Sequence, residues 1–237
     1  MALTARTHRQ LAEKESAALI QQANDTHPGD TSAGDKPRAE PFTRSYLGAR
    51  PSDAVGDITA VTIAQPTPAD ATSMARVHIL SALDLYLGLP TPGDALGFAL
   101  ASMTPRKEGY WPALVAQGDP GLFVARSAEG NVLGLAHAVI AEDGTGEIGA
   151  LYVLPSAQSR GIGARLMEAM LEYFGPSVVH VGTTAGSPAE AVYKRYGFKK
   201  FGPPTETPPP LGEYGIEAPQ QWLVRPSAEC GNLAGNP

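Results

Sequence analysis

The chain has 237 residues, 43% of them hydrophobic and 18% charged, which suffices for one core of about 150 to 200 residues with a remainder. Its formal net charge of −6, with no block of Lys and Arg, disfavours nucleic acid as a main partner. No apolar run of about 20 residues would span a membrane, no secretory pattern opens the chain, and the single cysteine, Cys230, excludes an internal disulfide and fits a cytoplasmic setting.

Residues 1–57 read as an extension. One helix is expected over 8–23, with Thr7 and Gln10 in a capping-box pattern and a small apolar face of Leu11, Ala12, Ala18, Leu19 and Ala23. A Pro-, Gly- and Ser-rich linker follows, in which Phe42, Tyr46 and Leu47 could dock on a surface. Residues 58–226 carry a regular pattern and form the expected domain, with 227–237 as a tail.

Within the domain, 58–65 reads as a strand. A helix opens at Thr67, with Pro68 at its first position and Asp70 in its first turn, and Ala71, Met74, Ala75, His78 and Ala82 keep helical spacing. Residues 93–103 suggest a weaker helix, and 110–118 an irregular or briefly helical stretch. Three strands then follow one another, joined by turns at "SAEGN" and "AEDGTG", and should pair as an antiparallel meander. The next helix keeps Ile162, Leu166, Met170 and Phe174 on one face and stops at Gly175-Pro176. A short strand at 177–183, a short helix closed by Gly197, and strands at "FKKF" and "QQWLVRP" complete the order. The expected class is α/β: a mixed sheet with helices on both faces.

The stretch "QSRGIGARL" places two glycines at the mouth of a helix. A helix leaves its first amides unpaired, and its dipole makes that end slightly positive, so anions settle there when no side chain blocks them. The fit to other phosphate loops is poor. There is no G-x-x-x-x-G-K-S/T motif, and "GIGARL" lacks the third glycine of a dinucleotide fingerprint.

The surroundings resemble the GNAT superfamily of acyl-CoA-dependent N-acyltransferases. The family pattern Q/R-x-x-G-x-G/A after a strand ending in V-x-P stands here as Gln158-Ser159-Arg160-Gly161-Ile162-Gly163 behind "YVLP". A second block, "AEAVYKRYGF", matches with Tyr193 four residues before the Gly197-Phe198 pair. The resemblance runs over roughly the whole chain beyond the extension and implies a mostly antiparallel sheet of about seven strands. It implies that acetyl-CoA is the cosubstrate, without metal. The loop from Gln158 through Ser159, Arg160, Gly161, Ile162, Gly163 and Ala164 would hold the diphosphate. Leu151, Tyr152 and Val153, on a strand splayed at a bulge, would meet the pantetheine arm.

By the same resemblance the reaction is acetyl transfer to a primary amine of a small molecule or peptide, by direct attack in a ternary complex. Glu147, eleven residues before Gln158, stands where some members keep a general base; otherwise it is a solvated strand-start carboxylate. Tyr193 would protonate the leaving sulfur, or else pack as a core tyrosine with Tyr196 structural. Many relatives carry asparagine where Gly186 stands here. Dimers are common in the family, so a homodimer is an open expectation.

Outside these motifs the signals are weaker. The five histidines (8, 27, 78, 137 and 180) lack metal spacing; His137 either faces the acceptor or is satisfied by its neighbours. Lys194, Arg195, Lys199 and Lys200 read as solvated surface or as a contact for the CoA 3′-phosphate. The proline-rich 202–219 loop should be stiff, and Glu206, Glu213 and Glu217 in it, with Glu142 and Asp143, would favour a cationic acceptor. Tyr86, Tyr110 and Trp111 line a pocket or fill a core. Two alternative functions remain: toxin-like acetylation of aminoacyl-tRNA, which a net negative chain disfavours, and a non-catalytic CoA-binding regulatory module.

Overall fold

The computed structural model describes residues 60–87, 109–209 and 211–227, together with positions 89, 97 and 99. The extension with its 8–23 helix, nearly all of the 93–103 helix, and the tail with Cys230 lie outside the described residues.

The core is a seven-stranded sheet of β1 (Thr62–Ala64), β2 (Leu122–Arg126), β3 (Val132–Ile140), β4 (Gly146–Val153), β5 (Val179–Thr184), β6 (Lys199–Lys200) and β7 (Gln220–Arg225). The spatial order is β1-β2-β3-β4-β5-β7-β6. Only β4 and β5 run parallel; every other pairing is antiparallel, including the β2–β3–β4 meander. Among the described residues the sheet is covered by α1 (Ala71–Leu87), α2 (residues 109–117), α3 (Ile162–Phe174) and α4 (Pro188–Arg195). This is the mixed α/β sheet the order of elements predicts.

Local chemistry sets the helix ends. Thr67 precedes a 3-10 turn at Pro68–Asp70 that leads into α1. Its backbone N–H and its hydroxyl both donate to Asp70 Oδ2 at 2.6 Å, closing a capping box. Arg126 of β2 donates through Nε to Asp70 Oδ1 at 3.0 Å and through Nη2 to Oδ2, pinning the start of α1 to the sheet. At the far end of α3, Gly175 takes a φ of +57° and returns its N–H to Leu171 and Glu172. The 110–118 stretch is firmly helical up to 117, because Pro112 falls in the first turn of the described helix, where its missing N–H costs nothing.

Two cores flank the sheet. On one face Ile162, Leu166, Met170 and Phe174, all buried as the spacing predicts, pack on Leu133, Ala136, Ile148, Val181 and Leu223. On the other face Met74 and Val77 of α1 and Trp111 and Leu114 of α2 pack on Leu122, Val124, Leu135 and Ala150. Burying a Leu- or Met-sized side chain stabilises by about 1.5–3 kcal/mol, so these layers hold the sheet between them.

Candidate active site

The site is made by a failure of pairing. β4 and β5 are in register at Gly146–Val179, Glu147–His180 and Ile148–Val181, and there the ladder ends. Both strands continue, β4 to Val153 and β5 to Thr184, without further pairs between them. The cause is visible next door. The β3–β4 register shifts between His137 and Ala138, so Gly149 is an extra residue that bends β4 away. A bulge of this kind raises the local twist and opens a wedge.

A cavity of about 280 Å³ fills the wedge. Its walls come from both faces of the sheet: Ser81, Leu85 and Tyr86 of α1, residues Ile148 to Val153 of β4, Gly182 to Thr184 of β5, and Ala189 and Tyr193 of α4. Pro208, Ala218 and Gln220 close it from the chain between β6 and β7 and the start of β7. The predicted residues Leu151, Tyr152, Val153, Gln158 and Tyr193 are therefore brought to one cavity. None of the residues lining it carries an ionised side chain.

Backbone direction decides what β4 can offer. Leu154 donates its N–H to Leu133 of β3; by strand alternation Tyr152 also turns its groups toward β3, whereas Leu151 and Val153 turn theirs into the wedge. The Val153 carbonyl is engaged by Ser81 Oγ at 3.0 Å and by Gln158 Nε2 at 3.1 Å. What remains for a ligand is the Val153 N–H and both backbone groups of Leu151. Tyr152 contributes its ring instead, stacked on His78 at 4.1 Å between centroids.

Beyond Val153 the chain turns at Pro155–Ala157 and enters α3 through Gln158, Ser159, Arg160 and Gly161. Ser159 has φ +60° and Gly161 φ +82°, the left-handed region that glycine enters without strain. Gly161 is the N-cap of α3 and no side chain caps that end. The first hydrogen bond into the helix runs from Arg165 to Gly161, so the amides of Ile162, Gly163 and Ala164 point outward unpaired by the helix itself. Gly163 is different from Gly161. A Cβ there would make only an ordinary 3.8 Å contact with Val153, and its φ is not positive. Among the described residues nothing requires glycine at 163, and the helix mouth is left without a side chain there.

Tyr193 is buried, stands edge-on to Phe198 at 5.6 Å, and lines the cavity. Burial pushes its phenol well above the ordinary value, so it stays protonated. Its helix is held from below by Glu190, a buried carboxylate that accepts the Gly186 N–H at 2.7 Å and pairs with Lys194 (3.3 Å) and Lys200 (3.1 Å). The Gly186 N–H bond, more than the two ammonium groups, holds that carboxyl below its usual range. Gly186 has φ +74°, so an asparagine there would need a strained backbone, and the loop uses Glu190 to fix itself instead. Two of the four basic residues thus serve this ion pair.

Glu147 is half-buried on β4, one residue outside the cavity lining. Tyr110, His137 and Asp119 stand with it on the α1/α2 face: His137 Nε2 lies 3.0 Å from Asp119 and Nδ1 lies 3.5 Å from the Tyr110 hydroxyl. His137 is thus satisfied by neighbours, and Asp119 and Tyr110 are partners that sequence reasoning missed. The only available signal was a histidine inside an apolar strand. Ser81, Glu190 and the Tyr86–Thr184 hydrogen bond across the cavity were also missed, since each depends on a non-local contact. Trp111 fills the core, and Glu206, Glu213 and Glu217 are exposed outside the cavity lining.

The sequence model of the acetyltransferase (GNAT) family matches residues 94–198. No curated protein matches the chain. Among solved structures, the PaiA N-acetyltransferase from Thermoplasma acidophilum, in complex with coenzyme A, is 16% identical with a TM-score of 0.53, covering 70% of this chain and 99% of its own. A histone acetyltransferase HPA2 and related acetyltransferase structure from Corynebacterium glutamicum ATCC 13032 is 17% identical with a TM-score of 0.50, covering 71% and 97%. At these identities the likeness is one of fold. The match to the acetyltransferase (GNAT) family over 94–198 spans the meander, the glycine turn and Tyr193, and the sheet with its helices has the GNAT fold.

Proposed function

We propose that the chain is an acetyl-CoA-dependent N-acetyltransferase that acylates a primary amine of a small molecule or peptide by direct attack in a ternary complex. The observation that carries this reading is that the wedge between β4 and β5 reaches Val153 and Gln158, from which the chain turns into the outward-pointing amides of α3. A long, thin ligand with an anionic middle and an uncharged reactive end has the matching chemistry. The fit is supported by two features of the chain: the uncharged lining of the cavity, and a glycine at 163 that the fold does not need.

In this reading the amides of Ile162, Gly163 and Ala164, with Gln158 to Gly161 leading in, hold the diphosphate. Leu151 and Val153 stand in for a missing strand beside the pantetheine arm. The thioester supplies an activated acetyl group. The Val153 N–H, aimed into the wedge, is placed to polarise the carbonyl. Tyr193 keeps its proton and gives it to the leaving sulfur. Glu147, at the edge of the cavity, takes the proton of the acceptor ammonium through water. The carboxylates of Glu206, Glu213 and Glu217 lie outside the neutral lining and act on a cationic acceptor only at a distance.

The test is thiol release from acetyl-CoA against benzylamine, tyramine, spermidine, kanamycin and an alanine-starting peptide. Turnover with at least one, abolished in a Glu147→Gln, Tyr193→Phe double variant, is the expected result. Heat of CoA binding without thiol release from any amine would favour a binding module and defeat the enzymatic reading.

A further inference from the structure

Beside the cavity, on the α1/α2 face, lies a chain of polar groups to which acetyl transfer as described gives no role. His137 of β3 is 5% exposed. Its Nε2 stands 3.0 Å from Asp119 Oδ2, and the other Asp119 oxygen accepts the Gly121 N–H at 2.8 Å, which fixes the carboxylate. An ionised carboxylate only accepts, so Nε2 carries the hydrogen, and in the neutral ring Nδ1 keeps its lone pair. That lone pair faces the Tyr110 hydroxyl of α2 at 3.5 Å. Tyr110 in turn is within electrostatic reach of Glu147.

The same nitrogen points at the bulge. A Cβ built on Gly149 would stand 3.3 Å from His137 Nδ1, and Gly149 is an exposed part of the cavity wall. Gly149 thus stands between the imidazole and the cavity. A buried histidine held in one tautomer by a fixed carboxylate, with its lone pair toward a phenol, is an arrangement for holding a proton.

Resting on the acetyl-transfer reading, we propose that Asp119, His137 and Tyr110 form a proton relay behind Glu147. The N–H bond of the acceptor ammonium breaks, its electron pair stays on nitrogen, and the proton goes through water to the Glu147 carboxylate. Tyr110 then gives its hydroxyl proton to His137 Nδ1, 3.5 Å away, while water carries the proton of Glu147 to the phenol oxygen. Glu147 is again a carboxylate, Tyr110 again a phenol, and the imidazolium is held by Asp119 until it loses the proton to solvent. The relay residues act through Glu147, and their role is to position and store the proton.

The electrostatics agree. Burial, with the charges of Asp119 and Glu147, pushes the Tyr110 phenol up to about 12, so it bridges as a phenol and never rests as phenolate. The hydrogen bond to His137 holds the Asp119 carboxyl below its ordinary value, so it is ionised when the imidazolium forms. The groups around His137 are Asp119 before β2, Tyr110 of α2, Glu147 beyond Tyr110, and His78 of α1 across the Trp111 ring. Leu122 of β2 and Ala150 of β4, opposite His137 in the sheet, do not titrate.

Two measurements test the relay. In the resting protein, long-range 1H–15N spectra of the His137 ring should show the Nε2–H tautomer, with an Nδ1 resonance that moves in Tyr110→Phe; an Nδ1–H tautomer overturns the proposal. In turnover with acetyl-CoA and the fastest amine of the panel, His137→Gln should lower kcat about a hundredfold at neutral pH. The KM for acetyl-CoA should stay unchanged, and the deficit should close as the pH rises toward the amine's own pKa. A deficit equal at every pH marks a structural role and overturns the relay alone. Tyr110→Phe, which keeps the ring packed edge-on to Trp111 at 5.0 Å, should give the same pH signature should the histidine variant fold poorly. Wild-type protein that turns over no amine sinks the acetyl-transfer reading and the relay with it.

Discussion

Gly163→Asp separates what the fold wants from what a ligand wants at the same atom. Gly163 is the second residue of α3, its φ is not in the left-handed region, and a Cβ would meet only Val153 at 3.8 Å. An aspartate there removes part of the helix cost of glycine and places a negative charge on the positive end of the dipole, together about 1 kcal/mol of stabilisation. For a domain of this size that corresponds to a rise of about 2 to 4 °C in Tm. A bound diphosphate would meet the same carboxylate at about 5 Å, where repulsion at an effective dielectric between 20 and 80 costs roughly 1–3 kcal/mol per charge pair. Taking about 2 kcal/mol, the affinity for CoA falls roughly thirtyfold. Differential scanning fluorimetry without ligand reads the first quantity and calorimetry with CoA the second. Gly163→Ala is the control, since it keeps the helical gain without the charge. Opposite signs for stability and binding are expected. An Asp variant that binds CoA as tightly as the wild type removes the diphosphate from the mouth of α3.

Tyr193→Phe should lower kcat by about a hundredfold with little change in KM, because the ring still packs on Phe198 while the proton donor is lost. Since burial raises the Tyr193 pKa, wild-type activity should show no alkaline loss from this group up to the ordinary tyrosine range. For Asp70, burial alone would raise the pKa, but hydrogen bonds from Arg126 and Thr67 outweigh it and bring it to about 2. A depressed carboxyl contributes stability above its unfolded value and loses it as pH falls through the folded one. Wild type should therefore lose on the order of 2 kcal/mol between about pH 4 and pH 2, and chemical denaturation of Asp70→Asn should lack that component of the pH dependence. Leu166→Ala, fully buried between α3 and the sheet, should cost about 2–5 kcal/mol, read by denaturant midpoint; a loss below about 1 kcal/mol would mean the α3 face is not the core layer it is drawn as.

Local signals carried far in this chain because its helix ends are chemically explicit. Thr67 with Asp70, Gly161, Gly175 and Gly197 each answer a backbone demand that can be stated from the residue type, and the structure puts them at such positions. The α3 stripe of Ile162, Leu166, Met170 and Phe174 needed only its spacing. Residues 109–117 were harder, since Gly109 and Pro112 speak against a helix until one knows that they fall at its start, and Trp111 is drawn inward by Met74 and Leu122. The wedge had one readable trace, a glycine inside the strand "GEIGALYV", because a residue without side chain in a strand interior marks a bulge. That trace says where β4 bends and not which neighbour it leaves. The structure supplies the answer: β4 keeps seven paired positions with β3 and only three with β5. The same bulge brings Gly149 against His137. One misregistered residue thus opens the cavity on one side of β4 and lies against an imidazole on the other. Gly149→Ala, whose Cβ would press on His137 Nδ1, should depress turnover with the pH signature of the relay while leaving CoA affinity intact. Loss of CoA binding along with turnover would show instead that the bulge merely shapes the wedge.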